Sequence, residues 1–169
     1  MIINGAMTSQ MHMRGEDAVV VSALPCPHVY ANVLMNGMMM FGTKLVLHKT
    51  FDPVAVMDDI SAHNATIFDG VPTMYMFMMN SPAFASADLS SLSRCYVGGQ
   101  TMPVATMKAV EESFNVPLIE LLGQDGNRWP WVYSSTLRCK QAWLHWLRYS
   151  LHGTAHRRCR GCHVAKWAN

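Results

Sequence analysis

Three stretches of the sequence have the residue types and spacing for chemistry. His28 follows Pro25-Cys26-Pro27 at the head of an apolar run, where an imidazole can polarise or pair with a carboxylate. Gly98-Gly99, followed by Gln100 and Thr101, lets backbone approach a ligand closely and leaves amides available near a helix start, which suits a nucleotide or another anion. Cys159-Arg160-Gly161-Cys162-His163 has the C-x-x-C-H spacing of c-type haem attachment, and with His156 nearby it also allows a metal reading.

The surroundings decide against the last of these. Met1 to Arg14 is interrupted by Asn, Gln and His, so no secretory signal is read, and an intracellular, cytoplasmic protein is expected. Arg157, Arg158 and Arg160 crowd the cysteines, and no apolar segment is at hand to build a haem pocket. The five cysteines are an odd number, which argues against a closed disulfide framework. No metal ligand set is therefore assigned, and a noncatalytic α/β module with a metal- or haem-binding Cys/His tail is kept as the alternative.

The elements that must position His28 and the glycine pair alternate regularly. Val19 to Leu24, Lys44 to His48, Ala65 to Phe68, Arg94 to Val97 and Val116 to Leu122 read as short buried strands. Between them lie helical patterns: an apolar helix through Tyr30, Val33, Leu34 and Met38 ending at Gly42, and one capped by Asp52 with Pro53 in its first turn. A methionine-rich helix spans Val71 to Asn80, and a last one is opened by Pro103. The methionine helix is expected to be deformable core filler, and Ser81 to Ser91 a polar loop. Five strands with four crossovers predict an α/β fold, a doubly wound, mostly parallel sheet with flanking helices. In such a sheet ligands bind beyond the carboxyl ends of strands, here Pro25 to His28, Asp69 to Thr73, Gly98 to Pro103 and Gly123 to Gln124.

Composition changes part-way along the chain. All 15 Met lie between Met1 and Met107, and all 5 Trp between Trp129 and Trp167. Up to Gln124 there are five Lys and Arg against ten Asp and Glu, and from Asp125 onward eight against one. The net charge of +2 gives no global argument for nucleic acid, and the basic tail is expected to have no specific nucleic-acid partner. The longest apolar patch, Val29 to Phe41, is broken by Asn32 and Asn36 and falls short of the ~20 residues that a spanning helix needs, so no transmembrane segment is read. The organisation expected is residues 1–124 as one partial domain and 125–169 as an unpacked basic tail.

Taken in order, the residues resemble the AMP-forming acyl-CoA synthetases and related adenylate-forming ligases. Leu24-Pro25-Cys26-Pro27-His28-Val29-Tyr30 looks like the family's P-L-F-H-V-Y-G, and Phe51-Asp52-Pro53 like its F-D-P element. Gly70-Val71-Pro72-Thr73-Met74-Tyr75 reproduces G-V-P-T-M-Y, while Asp88-Leu89-Ser90-Ser91-Leu92 ahead of Gly98-Gly99 resembles the D-L-S-S-L and S-G-G-A-P-L pair. The resemblance covers about Asp17 to Gln124. It implies a ligase that joins a carboxylic acid to CoA with ATP and Mg²⁺, through an acyl-adenylate. By position, His28 would face the acyl carboxylate, while Gly98, Gly99, Gln100, Thr101, Gly123 and Gln124 would border the nucleotide.

Departures from the family pattern imply that this chain by itself is inactive. Leu122 stands where an aromatic residue is expected, and Asp125-Gly126 stands where Thr-Glu should follow Gln124, so the metal-directed Glu is missing. The phosphate loop expected ahead of Asp17, the ribose-binding acid and the carboxyl-terminal domain with its lysine are also not found, so no complete set of catalytic residues is assigned.

The genetic code offers a reason for the tail. Joining the second and third bases of each codon to the first of the next turns every TGG into GGN, so Trp129, Trp131, Trp143, Trp146 and Trp167 all become Gly. The same shift allows Asp125-Gly126-Asn127 to become Thr-Glu-Ile, and Trp143-Leu144-His145-Trp146 to become Gly-Ser-Ile-Gly. The tail is therefore read as the product of one inserted base near the Gln124 codon.

Overall fold

Short apolar runs bounded by turn residues form strands, and the longer periodic stretches between them form helices, in the computed structural model. It describes residues 17–122 and 132–135. The order is β1 (Val19–Ser22), α1 (Val29–Phe41), β2 (Lys44–Leu47), α2 (Pro53–Ala62), β3 (Ile67–Gly70), α3 (Pro72–Met79), β4 (Arg94–Val97), α4 (Val104–Phe114), β5 (Leu118–Leu122) and β6 (Val132–Ser135).

Local chemistry sets the helix ends. Asp52 accepts from the amides of Val54 at 2.9 Å and Ala55 at 3.4 Å, and Pro53 occupies a first-turn position whose amide would have no partner in the helix. Gly42 ends α1 at φ 70°, a left-handed cap that glycine adopts without a Cβ penalty, with its amide on Met38 O at 3.1 Å. Because the Asp52 cap is exposed and local, Asp52→Ala is expected to cost about 0.5–2 kcal/mol through loss of that cap. A urea midpoint unchanged from the parent would refute it.

The sheet runs β2-β1-β3-β4-β5-β6. The first five strands are parallel, and β6 is antiparallel to β5. The chain steps from β1 out to β2, then crosses back over β1 to β3 and continues in that direction. With right-handed crossovers this places α1 on one face and α2, α3 and α4 on the other, so the sheet is doubly wound. Side-chain contacts agree with that assignment. Neighbouring strand residues point to opposite faces, and Phe68 packs edge-on against Tyr75 of α3 while Asp69 bonds to Tyr30 of α1. Val20, Val21, Ile67, Phe68, Cys95, Val97 and Leu118 are all buried, as strands covered on both faces require.

Several expectations need correction. The strand expected at Ala65 to Phe68 runs Ile67–Gly70, because Ala65 and Thr66 are held at the strand entrance by Ile60 O and Val19 O. The loop expected at Ser81 to Ser91 contains a 3-10 turn at Pro82–Ser86, capped by Ser81 Oγ. In α3, Met74 and Met78 fill the core, whereas Met76 and Phe77 are exposed. Five strands were expected and six are found among the described residues. The sixth, Val132–Ser135, lies in the segment expected to stay unpacked, and the physical reason is the open edge of β5. Its row of amides and carbonyls can pair with any extended backbone. The rest of the tail lies outside the described residues. No helix among the described residues is long and apolar enough to cross a membrane.

Candidate functional site at the carboxyl edge of the sheet

Strand order reverses between β1 and β3, because the connection leaving β1 goes to one side and the one leaving β3 goes to the other. Such a reversal opens a crevice beyond the carboxyl ends of the two strands. His28 and Gly98 both lie at exits from this edge, and a set of buried polar contacts ties the exits together.

At the β1 exit, a turn closed by His28 N on Pro25 O at 3.0 Å delivers His28 to the N-cap position of α1. Its Nδ1 accepts the Tyr30 amide at 3.2 Å, and the residue is exposed. With Nδ1 committed as an acceptor, the neutral ring carries its hydrogen on Nε2, which is left as a donor. Ser22, at the end of β1, donates its hydroxyl to Asp69 O at 2.8 Å and accepts from Leu24 N at 3.3 Å.

The β3 exit holds Asp69, which is fully buried. Its Oδ1 accepts the Tyr30 hydroxyl at 2.9 Å. One layer beyond, Gly70 O accepts the Gly98 amide at 3.3 Å. This corrects the expectation that the glycine pair leaves its amides available at a helix start. The Gly98 amide continues the β3–β4 ladder, and α4 begins only at Val104.

Both glycines at the β4 exit have specific reasons to lack a side chain. A Cβ on Gly98 would fall 2.9 Å from Tyr30 Cε1 and 3.3 Å from Leu121 O, and Gly99 has φ 85°. Gly99, Gln100 and Thr101 are exposed, whereas the following Met102 is buried and its amide donates to Glu120 Oε1 at 3.4 Å. The loop is thus pinned at Gly98 and Met102, with three residues presented outward between them. Its backbone and the Gln100 and Thr101 side chains are thereby open to contact from outside.

The structure therefore links His28 and Gly98 through one residue, Tyr30, whose backbone amide bonds to His28 and whose ring lies against Gly98. It carries Gln100 and Thr101 on the same edge. Gly123 and Gln124 lie outside the described residues, as do Cys159, Cys162 and His163. Among the described residues no group of three His, Cys, Asp or Glu side chains is placed to hold a metal ion. Cys95 is no nucleophile, since burial pushes its thiol well above the ordinary range. Reading the sequence marks Asp69 to Thr73 as a strand exit but gives Asp69, Tyr30 and Glu120 no part in it. A lone carboxylate in the apolar run Ile67-Phe68-Asp69 was the available signal for the first.

Residues 1–125 match the family described as AMP-binding enzyme. The chain belongs to that family. Among AMP-binding relatives it is 31% identical over 105 residues to the long-chain-fatty-acid–CoA ligase of Bacillus subtilis, a match covering 62% of this chain and 19% of that protein. It is 30% identical over 121 residues to the indoleacetate–CoA ligase of Aromatoleum aromaticum, covering 71% of this chain and 24% of that protein. The fold is shared with the AMP complex of the O-succinylbenzoate CoA synthetase of B. subtilis, at a TM-score of 0.67 and 20% identity over 79% of this chain and 27% of that one. It is also shared with the amino-terminal domain of FACL13 from Mycobacterium tuberculosis, at 0.62 and 23% over 72% and 31%. The matched part of this AMP-binding chain spans about a fifth of the length of those two curated relatives.

Proposed function

We propose that these residues are part of the large domain of an AMP-dependent acyl-CoA synthetase, which converts a carboxylic acid, ATP and CoA into acyl-CoA, AMP and pyrophosphate. The observation that carries this reading is the convergence of His28 with the Gly98 turn at the switch-point edge of a family member's sheet. ATP with Mg²⁺ supplies the activation of the carboxylate, and CoA the thiol that accepts the acyl group. This chain's residues bind and orient. His28 presents Nε2–H to the acyl carboxylate, where a fixed donor lowers the cost of holding that charge out of water. Gly98, Gly99, Gln100 and Thr101 border the nucleotide, with Gly123 and Gln124 continuing that border from β5.

The same proposal covers the tail. Residues 125–169 are a frame-shifted product, a reading supported by the family match stopping at 125, where charge and composition also change. A polypeptide of these 169 residues alone is therefore expected to form no acyl-adenylate. In-line attack on ATP needs positioned donors and cations around its phosphates, which are worth many powers of ten in rate.

Transplanting residues 17–122 into the matching stretch of the B. subtilis long-chain-fatty-acid–CoA ligase tests the assignment. The chimera is expected to keep carboxylate-dependent ATP–pyrophosphate exchange, and His28→Ala within it to weaken use of the carboxylate. A folded chimera without exchange, or one indifferent to His28→Ala, sinks the reading. Exchange above background by the 169-residue chain itself would refute the expectation that these residues alone are inactive.

A further inference from the structure

We infer that Asp69 is a positioning residue for His28, acting through the Tyr30 hydroxyl. This rests on the reading of His28 as the group that meets the acyl carboxylate. Asp69 sits without solvent exposure in a strand whose neighbours Ile67 and Phe68 are equally buried, and a buried carboxylate is costly unless it is hydrogen-bonded. A residue that breaks the apolar rule of a central strand is a mark of function rather than of folding.

The contacts show where that carboxylate acts. Its Oδ1 accepts the hydroxyl of Tyr30, a residue 39 positions away in the chain and in the first turn of α1. The Tyr30 amide is the donor that His28 Nδ1 accepts. The Tyr30 ring also fills the space that a Cβ on Gly98 would need, at 2.9 Å. A single tyrosine therefore joins three strand exits: the cap at the end of β1, the carboxylate on β3 and the glycine turn after β4. Fixing its hydroxyl fixes the first turn of α1, and that turn holds the imidazole in the tautomer whose Nε2–H faces outward. Asp69 never meets the substrate in this arrangement; it sets the donor that does.

The experiment uses the full 169-residue chain without ligand, labelled with ¹⁵N at histidine, and reads the tautomer of His28 from its two ring nitrogens, assigned with a His28→Gln variant. The parent is expected to show Nε2–H alone at a pH where the ring is neutral. Tyr30→Phe, which keeps the ring and removes only the hydroxyl, is expected to lose that single-tautomer signature. Asp69→Asn, which keeps an oxygen to accept from Tyr30, is expected to retain it, and Asp69→Leu to lose it. A parent in which His28 is mainly Nδ1–H overturns the inference even if no variant folds. So does a folded Tyr30→Phe protein with the parent signature, because a merely structural hydroxyl would lower stability without moving the imidazole. The readout needs no adenylation. Failure of the chimera with these signatures intact would count against the proposed reaction, not against the coupling of Asp69 to His28.

Discussion

Tyr75→Ala is expected to destabilise the folded domain by about 3–5 kcal/mol, the range for removing a large buried aromatic side chain and leaving a cavity. Tyr75 is fully buried in α3, at the centre of the face that carries three helices. Its ring lies edge-on to Phe68 of β3, with centroids 5.1 Å apart, and to Phe114 of α4 at 5.7 Å. Its hydroxyl donates to Tyr96 O at 2.6 Å and lies 3.3 Å from Phe68 O, so one side chain spans two strands and two helices. Burial, reinforced by the nearby Cys95, Tyr30 and Asp69, pushes the phenol well above its ordinary range, and it stays a donor across accessible pH. Tyr75→Phe separates the two contributions. Only the hydroxyl is lost, and about 0.5–1.5 kcal/mol is expected for a hydrogen bond of this kind. Denaturant unfolding of both variants decides the matter. A Tyr75→Ala protein within about 1 kcal/mol of the parent would mean that α3 is not seated as described.

The second large effect concerns the gene. Deleting one base near the Gln124 codon is expected to open a frame that continues Gly-Gln-Thr-Glu, then a Gly/Ser-rich loop, then Gly-Ser-Ile-Gly. One correction would change three things at once. It turns five tryptophans into glycines, returns a Glu two residues after Gln124, and supplies turn residues where a ligand loop follows a strand. The placement of β5 adds a structural reason. Its carboxyl end lies beside the Gly98 turn, through the Val97–Glu120 register and the Glu120 bond to Met102, so β5 ends on the edge that carries His28. A loop there would complete the site. Sequencing the locus settles it, since a corrected frame that soon meets a stop codon, or lacks that Glu, leaves the basic tail genuine. The strand at Val132–Ser135 is compatible with either outcome, because ladder pairing draws on backbone groups that every sequence possesses.

The sequence by itself determined the order of strands and helices, the Asp52 and Gly42 helix ends, the parallel sense of the first five strands and the family. These follow from short-range chemistry. Apolar periodicity, side-chain caps, glycine conformations and contiguous motifs act over a few residues, so one chain read in order contains them. Only the tertiary structure decided that the Gly98 amide belongs to the β3–β4 ladder, that Gly98 is glycine because the Tyr30 ring lies against it, and that the Asp69 carboxylate reaches α1. It also decided that a sixth strand pairs with β5. Each of these joins groups whose proximity is created by the crossover past β1 or by an open sheet edge. No local pattern records which distant side chain will fill a given space, and the buried polar group that marks the site became interpretable only once its partner, 39 residues away, was in place.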